Sequence, residues 1–187
     1  MILRLPDPPL EDDRVVLRPV RAGDLPVVVD ACRDPLTQLY TRVPRDYDED
    51  DARAFIDGAA GRRLMGVSLD LGVGSADDDR LLGVIGLVAD RHDEGRAEIG
   101  YWIAPAERRR GAAGRALALL SRWAVTDGGF ARIDLQAAIG NTASVRAAER
   151  CGFVREGTLR DAWYRGPRRR DMALFSLVPA DLEAGSA

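Results

Sequence analysis

Residues 108–115 read Arg108-Arg109-Arg110-Gly111-Ala112-Ala113-Gly114-Arg115, between an expected strand over 97–103 and an expected helix that begins near Gly111. A helix start leaves backbone N–H groups unpaired and carries partial positive charge, and small side chains let an anion reach the main chain. This pattern predicts a cradle for a pyrophosphate. The plain alternative is a basic helix start on a solvated face, with small residues chosen for packing.

Other chemistry-bearing residues are few. His92 is the single histidine and falls in an expected turn, while Cys32 and Cys151 have no histidine near them in sequence. No activated nucleophile, disulfide framework or zinc ligand set is therefore expected. Cys151, just before Gly152 at a helix end, reads as a buried structural thiol. Period-two alternation places Glu98, Gly100 and Trp102 on one strand face, so Glu98 is either a base beside a cleft or a carboxylate facing solvent or an arginine. Asn141 and Ser144 have the spacing of a helix cap. Tyr40, Tyr47, Trp163 and Tyr164 fall in segments expected to be irregular, where aromatic residues border a pocket or cover a core. Asp171 reads as a structural hydrogen-bonding residue, and the arginines at 168–170 as a solvated face.

These residues must be positioned by one domain: the 187 residues are 46% apolar and 30% charged, as in globular proteins, with no apolar run near the ~20 residues of a membrane helix. The opening residues lack the apolar stretch of a secretory signal, so a cytoplasmic address is expected. All basic residues are arginine, yet the formal charge of -3 argues against a general nucleic-acid binder.

Val15, Val16 and Leu17, stopped by Pro19, form the first expected strand. Asp24 is expected to cap a helix carrying Leu25, Val28, Val29 and Cys32, with Pro26 in its first turn. Residues 35–46 read as irregular and 48–61 as a helix with acidic residues crowding its start. Strands over 67–73, 81–88 and 97–103 make an antiparallel meander. Leu117, Leu120, Trp123 and Ala124 mark a helix ending at Gly128-Gly129, followed by a strand over 133–139 and a helix from Asn141 to Gly152. Strands over 153–160 and 171–178 enclose a loop carrying Trp163 and Tyr164, and the tail from Asp181 reads as frayed. The order describes an α/β fold with a mixed sheet.

The spacing Arg108-x-x-Gly111-x-Ala113 resembles the acyl-coenzyme A motif Gln/Arg-x-x-Gly-x-Gly/Ala of the GNAT N-acetyltransferase superfamily. The run Ala97 to Ile103, Asn141-x-x-Ser144 and Glu149-Arg150-Cys151-Gly152-Phe153 are similar to its RimJ/RimL branch. So are Arg14-Val15-Val16-Leu17-Arg18-Pro19 followed by Asp24, Glu156-Gly157-x-Leu159-Arg160, and Gly166-x4-Asp171. The resemblance implies a single GNAT domain, its core at about 14–178. It also implies a mixed, mostly antiparallel sheet of about seven strands, helices on both faces, and a V-shaped splay between two central parallel strands.

The resemblance further implies acetyl-CoA as co-substrate with no metal, and attack by an amine held in a ternary complex. Arg108, Arg109, Arg110, Gly111, Ala112, Ala113 and Gly114 would hold the pyrophosphate, and the main chain of Trp102 and Ile103 the pantetheine amides. Glu98 is the candidate base. Asn141 would sit near the coenzyme sulfur, and Ser144 would supply a proton to the thiolate. Tyr40, Trp163 and Tyr164 would border the acceptor. Many GNAT enzymes carry a tyrosine acid seven residues after this asparagine; here that position is Ala148. The branch implies a protein N-terminus as acceptor. A small amine or aminoglycoside, or a noncatalytic acyl-CoA-sensing module, remain as alternatives, and a homodimer is left open.

Overall fold

The computed structural model describes residues 2–165 and 167–184, so Gly166 of the Gly166-x4-Asp171 pattern lies outside the described residues. The chain runs β1 (Leu10–Glu11), β2 (Val15–Pro19), α1 (Leu25–Arg33), α2 (Pro35–Tyr40), α3 (Glu49–Leu64), β3 (Ser68–Ser75), β4 (Leu81–Ala89) and β5 (Arg96–Ile103). It continues through α4 (Ala112–Thr126), β6 (Arg132–Ala138), α5 (Thr142–Arg150), β7 (Val154–Arg165), β8 (Arg168–Leu177) and α6 (Pro179–Ala184). The described strands form one sheet in the order β1-β2-β3-β4-β5-β6-β8-β7, antiparallel except where β5 meets β6. Seven match the expected strands, and the eighth is the two-residue β1 on the edge.

Each face of the sheet has its own core. On one, α4 lays Ala116, Leu117, Leu120 and Ala124, all fully buried, against Ile85, Ile99, Ile133 and Phe175. Each large apolar side chain so buried contributes about 1.5–3 kcal/mol. On the other, Val28 and Cys32 of α1 and Ala52 and Ile56 of α3 pack with Val84, and Tyr47 closes the layer. Burial and a hydrogen bond from Tyr47 bear on the Cys32 thiol; burial dominates and pushes it up to about 11. Cys151 is also raised by burial and donates to the Gly114 carbonyl at 3.3 Å, which joins α5 to α4.

Four expectations are corrected. Residues 35–40 form α2 rather than an irregular segment, because the Asp34 carboxylate accepts from Leu36 N and Thr37 N and Pro35 fits the first turn. Trp163 and Tyr164 lie on β7, which runs on through a bulge between Leu159 and Trp163. The tail forms the short helix α6, opened by a bond from Val178 N to Asp181. Asp24 makes no side-chain cap on α1.

Asp24 is committed elsewhere. Arg18, 5% exposed, donates Nη1 and Nη2 to the two Asp24 oxygens at 2.8 and 3.0 Å, Nε to Asp79 Oδ1 at 2.6 Å, and its remaining hydrogens to the carbonyls of Pro19 and Asp79. All five guanidinium hydrogens are thereby used. Burial works against the Asp24 carboxylate, but its bonds from Arg18 and Arg21 N prevail and its pKa is lowered. Asp24→Ala leaves the buried Arg18 with the half-exposed Asp79 as its remaining carboxylate and removes the acceptor of two guanidinium bonds, so it is expected to lose about 1–3 kcal/mol in urea unfolding at neutral pH. Since the folded pKa lies below the ordinary 3.8, this contribution is present above that value and fades as pH falls through the folded one. The gap between wild type and variant should narrow on acidification, and a constant gap would contradict the assignment.

Candidate functional site

The site originates where two strands part. β5 and β6 pair over only three positions, Arg96 with Arg132, Ala97 with Ile133 and Glu98 with Asp134, although both strands continue well beyond them. The closed end is bolted by charge. The buried Asp134 takes Arg96 from β5 and Arg132 from its own strand, while Arg132 forms paired bonds of 2.7 and 2.6 Å to Glu156 on β7. Ser176 of β8 donates to the same carboxylate at 2.7 Å. Bonds from Arg132 and Ser176 hold Glu156 down to about 2.

Ladder parity tells which main-chain groups face the opening. The bonds Ala104 N to Leu82 O and Asp90 N to Arg96 O, at the two ends of the β4–β5 ladder, place the even-numbered β5 residues in the hydrogen-bonded pairs. Trp102 therefore commits its amide and carbonyl to Val84, and Tyr101 and Ile103 present theirs to the gap. Of the pair Trp102 and Ile103 expected to offer main-chain groups, only Ile103 does so, and Tyr101 takes the place of Trp102. The Ile103 carbonyl already accepts Arg108 Nε at 3.1 Å. Across the gap, the bond from Ile139 N to Asp171 O sets the parity of β6, so that Gln136 and Ala138 face β5.

The resulting cleft of about 450 Å³ passes through the sheet. Glu98, Gly100 and Trp102 line it on the α1–α3 side, and Tyr101, Asn141 and Ser144 on the α5 side. Arg42 reaches Glu98 through Nη1–Oε1 at 3.2 Å and Nη2–Oε2 at 3.4 Å, so the candidate base is ion-paired. The Arg42 guanidinium also lies 5.8 Å over the Trp163 ring. Trp163 Nε1 donates to Leu39 O at 3.0 Å and Arg165 Nη2 to Val43 O at 2.8 Å, tying residues 39–43 to β7. Tyr40 lines the cleft. Tyr164 does not; it is 63% exposed, with Arg169 over its ring.

Asp171 is structural, accepting the Asp161 amide at 2.9 Å. It thereby holds the bulge in which Asp161 has φ 51, and that bulge re-aims Trp163.

Asn141 caps α5 by accepting Ser144 N at 3.3 Å, and Ser144 Oγ lies 2.9 Å from Tyr101 Oη. The hydroxyl pair spans the open end of the wedge from strand to helix. Sequence reading missed Tyr101 and Arg42; alternation could have separated Tyr101 from Glu98, but nothing local marks Arg42.

Behind the cleft lies the helix start. Arg109 and Gly111 both have positive φ, 66° and 88°, a pattern that turns successive N–H groups toward a common concavity. The first amide of this stretch to find an acceptor is Arg115, on Gly111 O. Among the described residues, the amides from Arg109 through Ala112 and Ala113 to Gly114 have no backbone acceptor. Arg108 points away from them: its Nη2 meets Asp34 Oδ1 at 2.5 Å and Thr37 Oγ1 at 2.9 Å, bracing the loop against α2. Arg110 pairs with Glu107 at 3.3 Å. Among the described residues no group of three or more His, Cys, Asp or Glu side chains is arranged to hold a metal, and no helix is long and apolar enough to cross a membrane.

Comparison with known proteins agrees with this geometry. The acetyltransferase (GNAT) domain family matches residues 14–154. The uncharacterized N-acetyltransferase YoaA of Bacillus subtilis is 30% identical over 173 residues, covering 91% of this chain and 97% of its own. The structure of RimL, a ribosomal L7/L12 alpha-N-protein acetyltransferase in complex with coenzyme A, superposes with a TM-score of 0.79 at 19% identity, over 89% of this chain and 95% of that one. The spermidine N-acetyltransferase of Vibrio cholerae, in complex with CoA and spermine, gives 0.76 at 21% identity, over 91% and 98%.

Burial raises the Tyr101 phenol and the bond shared with Ser144 lowers it, burial prevailing. The phenolate absorbance step that Tyr101→Phe removes should therefore lie above the ordinary tyrosine pKa of 10. In Ser144→Ala it should move higher still, because the bond that favours the charged form is gone. A downward move would show that the hydroxyls do not meet.

Proposed function

The chain belongs to the acetyltransferase (GNAT) family, an N-acetyltransferase using acetyl-CoA, and on that premise we propose that it acetylates the N-terminal amine of a protein. The observation that carries the reading is the cleft through the sheet, which joins a carboxylate on one face to a hydroxyl pair on the other. Free amides at the head of α4 suit a pyrophosphate, and the main chain of Tyr101 with the amide of Ile103, both turned to the gap, suits an amide-bearing arm laid along β5 as an added strand would be. In this reading Arg109, Arg110, Gly111, Ala112, Ala113 and Gly114 hold the coenzyme, and Arg108 shapes the loop that presents them.

Acetyl-CoA, as substrate, supplies an activated acetyl group and departs as a thiol. Glu98, directly or through a water, takes the proton that the attacking amine must shed. Ser144 gives its proton toward the departing sulfur, and Tyr101, donating to Ser144 Oγ, turns that proton into the gap. Asn141 fixes the first turn of α5 and hence the position of Ser144. Tyr40, Arg42 and Trp163 border the acceptor, with Tyr164 outside. Positioning carries much of such a reaction, up to about 7–11 kcal/mol, whereas a side-chain base adds about 10²- to 10⁴-fold.

A polycation would need several spare carboxylates, and among the described residues the cleft offers one, Asp51, whose partner is the Asp48 amide rather than a cation. Glu98 is paired with Arg42 and Asp70 with Arg62. One amine entering beside one carboxylate is the better match, as at a polypeptide N-terminus. The RimL structure, whose protein acetylates an alpha-N position, favours the same acceptor.

With labelled acetyl-CoA, label is expected on the α-amine of unstructured peptides in preference to spermidine or an aminoglycoside. Glu98→Gln should slow that transfer by about 10²-fold. Preference for spermidine would overturn the acceptor assignment. Gly111→Asp places a carboxylate in open space beside the free amides, at a φ of 88° that also disfavours a side chain. Calorimetry should show coenzyme A binding at least about tenfold weaker, roughly 1.4 kcal/mol, and unchanged affinity would remove the pyrophosphate from this helix start.

A further inference from the structure

A second cavity, about 680 Å³, opens on the far side of the segment that borders the cleft. Arg33, Arg45 and Arg165 line it, with Asp46 as the only carboxylate among the described residues and Pro35 and Leu39 as apolar lining. Arg165 is half-buried, a setting in which most other arginines of this chain find a carboxylate, as Arg62, Arg108 and Arg132 do, while Arg33 and Arg45 are exposed. The three that line the cavity have no carboxylate within ion-pair distance among the described residues. Two are nonetheless held in place by neutral carbonyls: Arg33 Nε donates to Tyr47 O at 2.7 Å and Arg165 Nη2 to Val43 O at 2.8 Å. Fixed guanidinium groups with unused donors lose little freedom when they meet a carboxylate.

In a chain of formal charge -3, a lining with three arginines against one carboxylate, Asp46, makes this cavity a local exception of positive charge. The location gives the exception a use. Tyr47 lines both cavities, so the groove and the cleft flank the same stretch of chain. We infer that this groove binds an acidic polypeptide segment, the part of the acceptor protein that follows the amine seated in the cleft. The inference rests on the proposed N-terminal acceptor and narrows it to proteins whose early residues include Asp or Glu. Opposite charges steer such an acceptor to the mouth and set its register, and the same field repels a polyamine.

The test uses two fluorescent peptides that share their first residues and continue in Glu or in Gln, with anisotropy read on the whole protein saturated with coenzyme A. Arg45 is the variant of choice, being exposed and without a hydrogen bond to the fold among the described residues. The Glu peptide should bind more tightly than the Gln peptide, with the margin shrinking as salt is added. Arg45→Glu should weaken the Glu peptide about five- to tenfold and leave the Gln peptide within about twofold. Arg122→Glu, an equal charge change on the exposed side of α4, should alter neither. Equal affinity for the two peptides, an equal loss in Arg122→Glu, or tighter Arg45-dependent binding of single-stranded RNA than of the Glu peptide would each overturn the groove assignment. Acetyl transfer to the Gln peptide is followed in parallel. Its absence, with Arg45-dependent binding intact, would reject the acceptor reading and leave the groove standing.

Discussion

Everything at the site depends on β5 and β6 being joined at one end only. A parallel pair normally continues as long as both strands do, because each unpaired amide or carbonyl in a sheet interior forfeits a hydrogen bond. Here pairing stops after Glu98 and Asp134. The separation is stabilised from both sides: β4 and β8 hold their own edges of the two strands over the full length, so neither strand can swing to close the gap. The ion cluster of Arg96, Asp134, Arg132 and Glu156 locks the closed end across β5, β6 and β7. Asp134 is 5% exposed and accepts two arginines, a balance that a buried carboxylate needs. What remains is a slot whose walls carry unpaired main-chain groups, suited to a ligand with amides of its own.

The slot also separates chemistry by face. Along β5 the even residues look toward α1 and α3 and the odd ones toward α4 and α5. Glu98 and Tyr101 are thus close in sequence yet on opposite sides of the sheet, and the opening joins them. A carboxylate and a hydroxyl pair that faced each other would bond directly. Placed on opposite faces, Glu98 keeps Arg42 as its partner and Tyr101 keeps Ser144.

Much of this was legible in the chain. Apolar periodicity located the seven long strands and the helices α3, α4 and α5, because those elements each bury one face. The free amides were legible too, since Gly111, Ala112, Ala113 and Gly114 supply no side chain to cap them. Tertiary decisions were harder to read. Arg108 belongs to the motif, but Asp34 and Thr37, more than seventy positions away, claim its guanidinium. Asp24 has the place of a helix cap, and a buried arginine prevails over the amides because a charged pair is the stronger bond. Trp163 and Tyr164 looked like loop residues because Asp161 and the following bulge interrupt the alternation that marks a strand. Alternation along β5 was visible, whereas the assignment of Trp102 to the ladder with Val84 required knowing which neighbour β4 would be.

The residue at 148 shows how one packing constraint shapes the site. In this chain Ala148 is fully buried within the core shared by α4, α5 and the sheet, and its small side chain lets the helices approach. A phenol ring at that position would overpack the core, at a cost of about 1–3 kcal/mol. Tyr101 reaches α5 from the opposite direction, out of the strand, and meets it at Ser144, one helical turn before Ala148. The phenol thus stands at the open end of the wedge, anchored on the sheet. Because Tyr101 also offers its main chain to the gap, any displacement of β5 would move the hydroxyl pair with it.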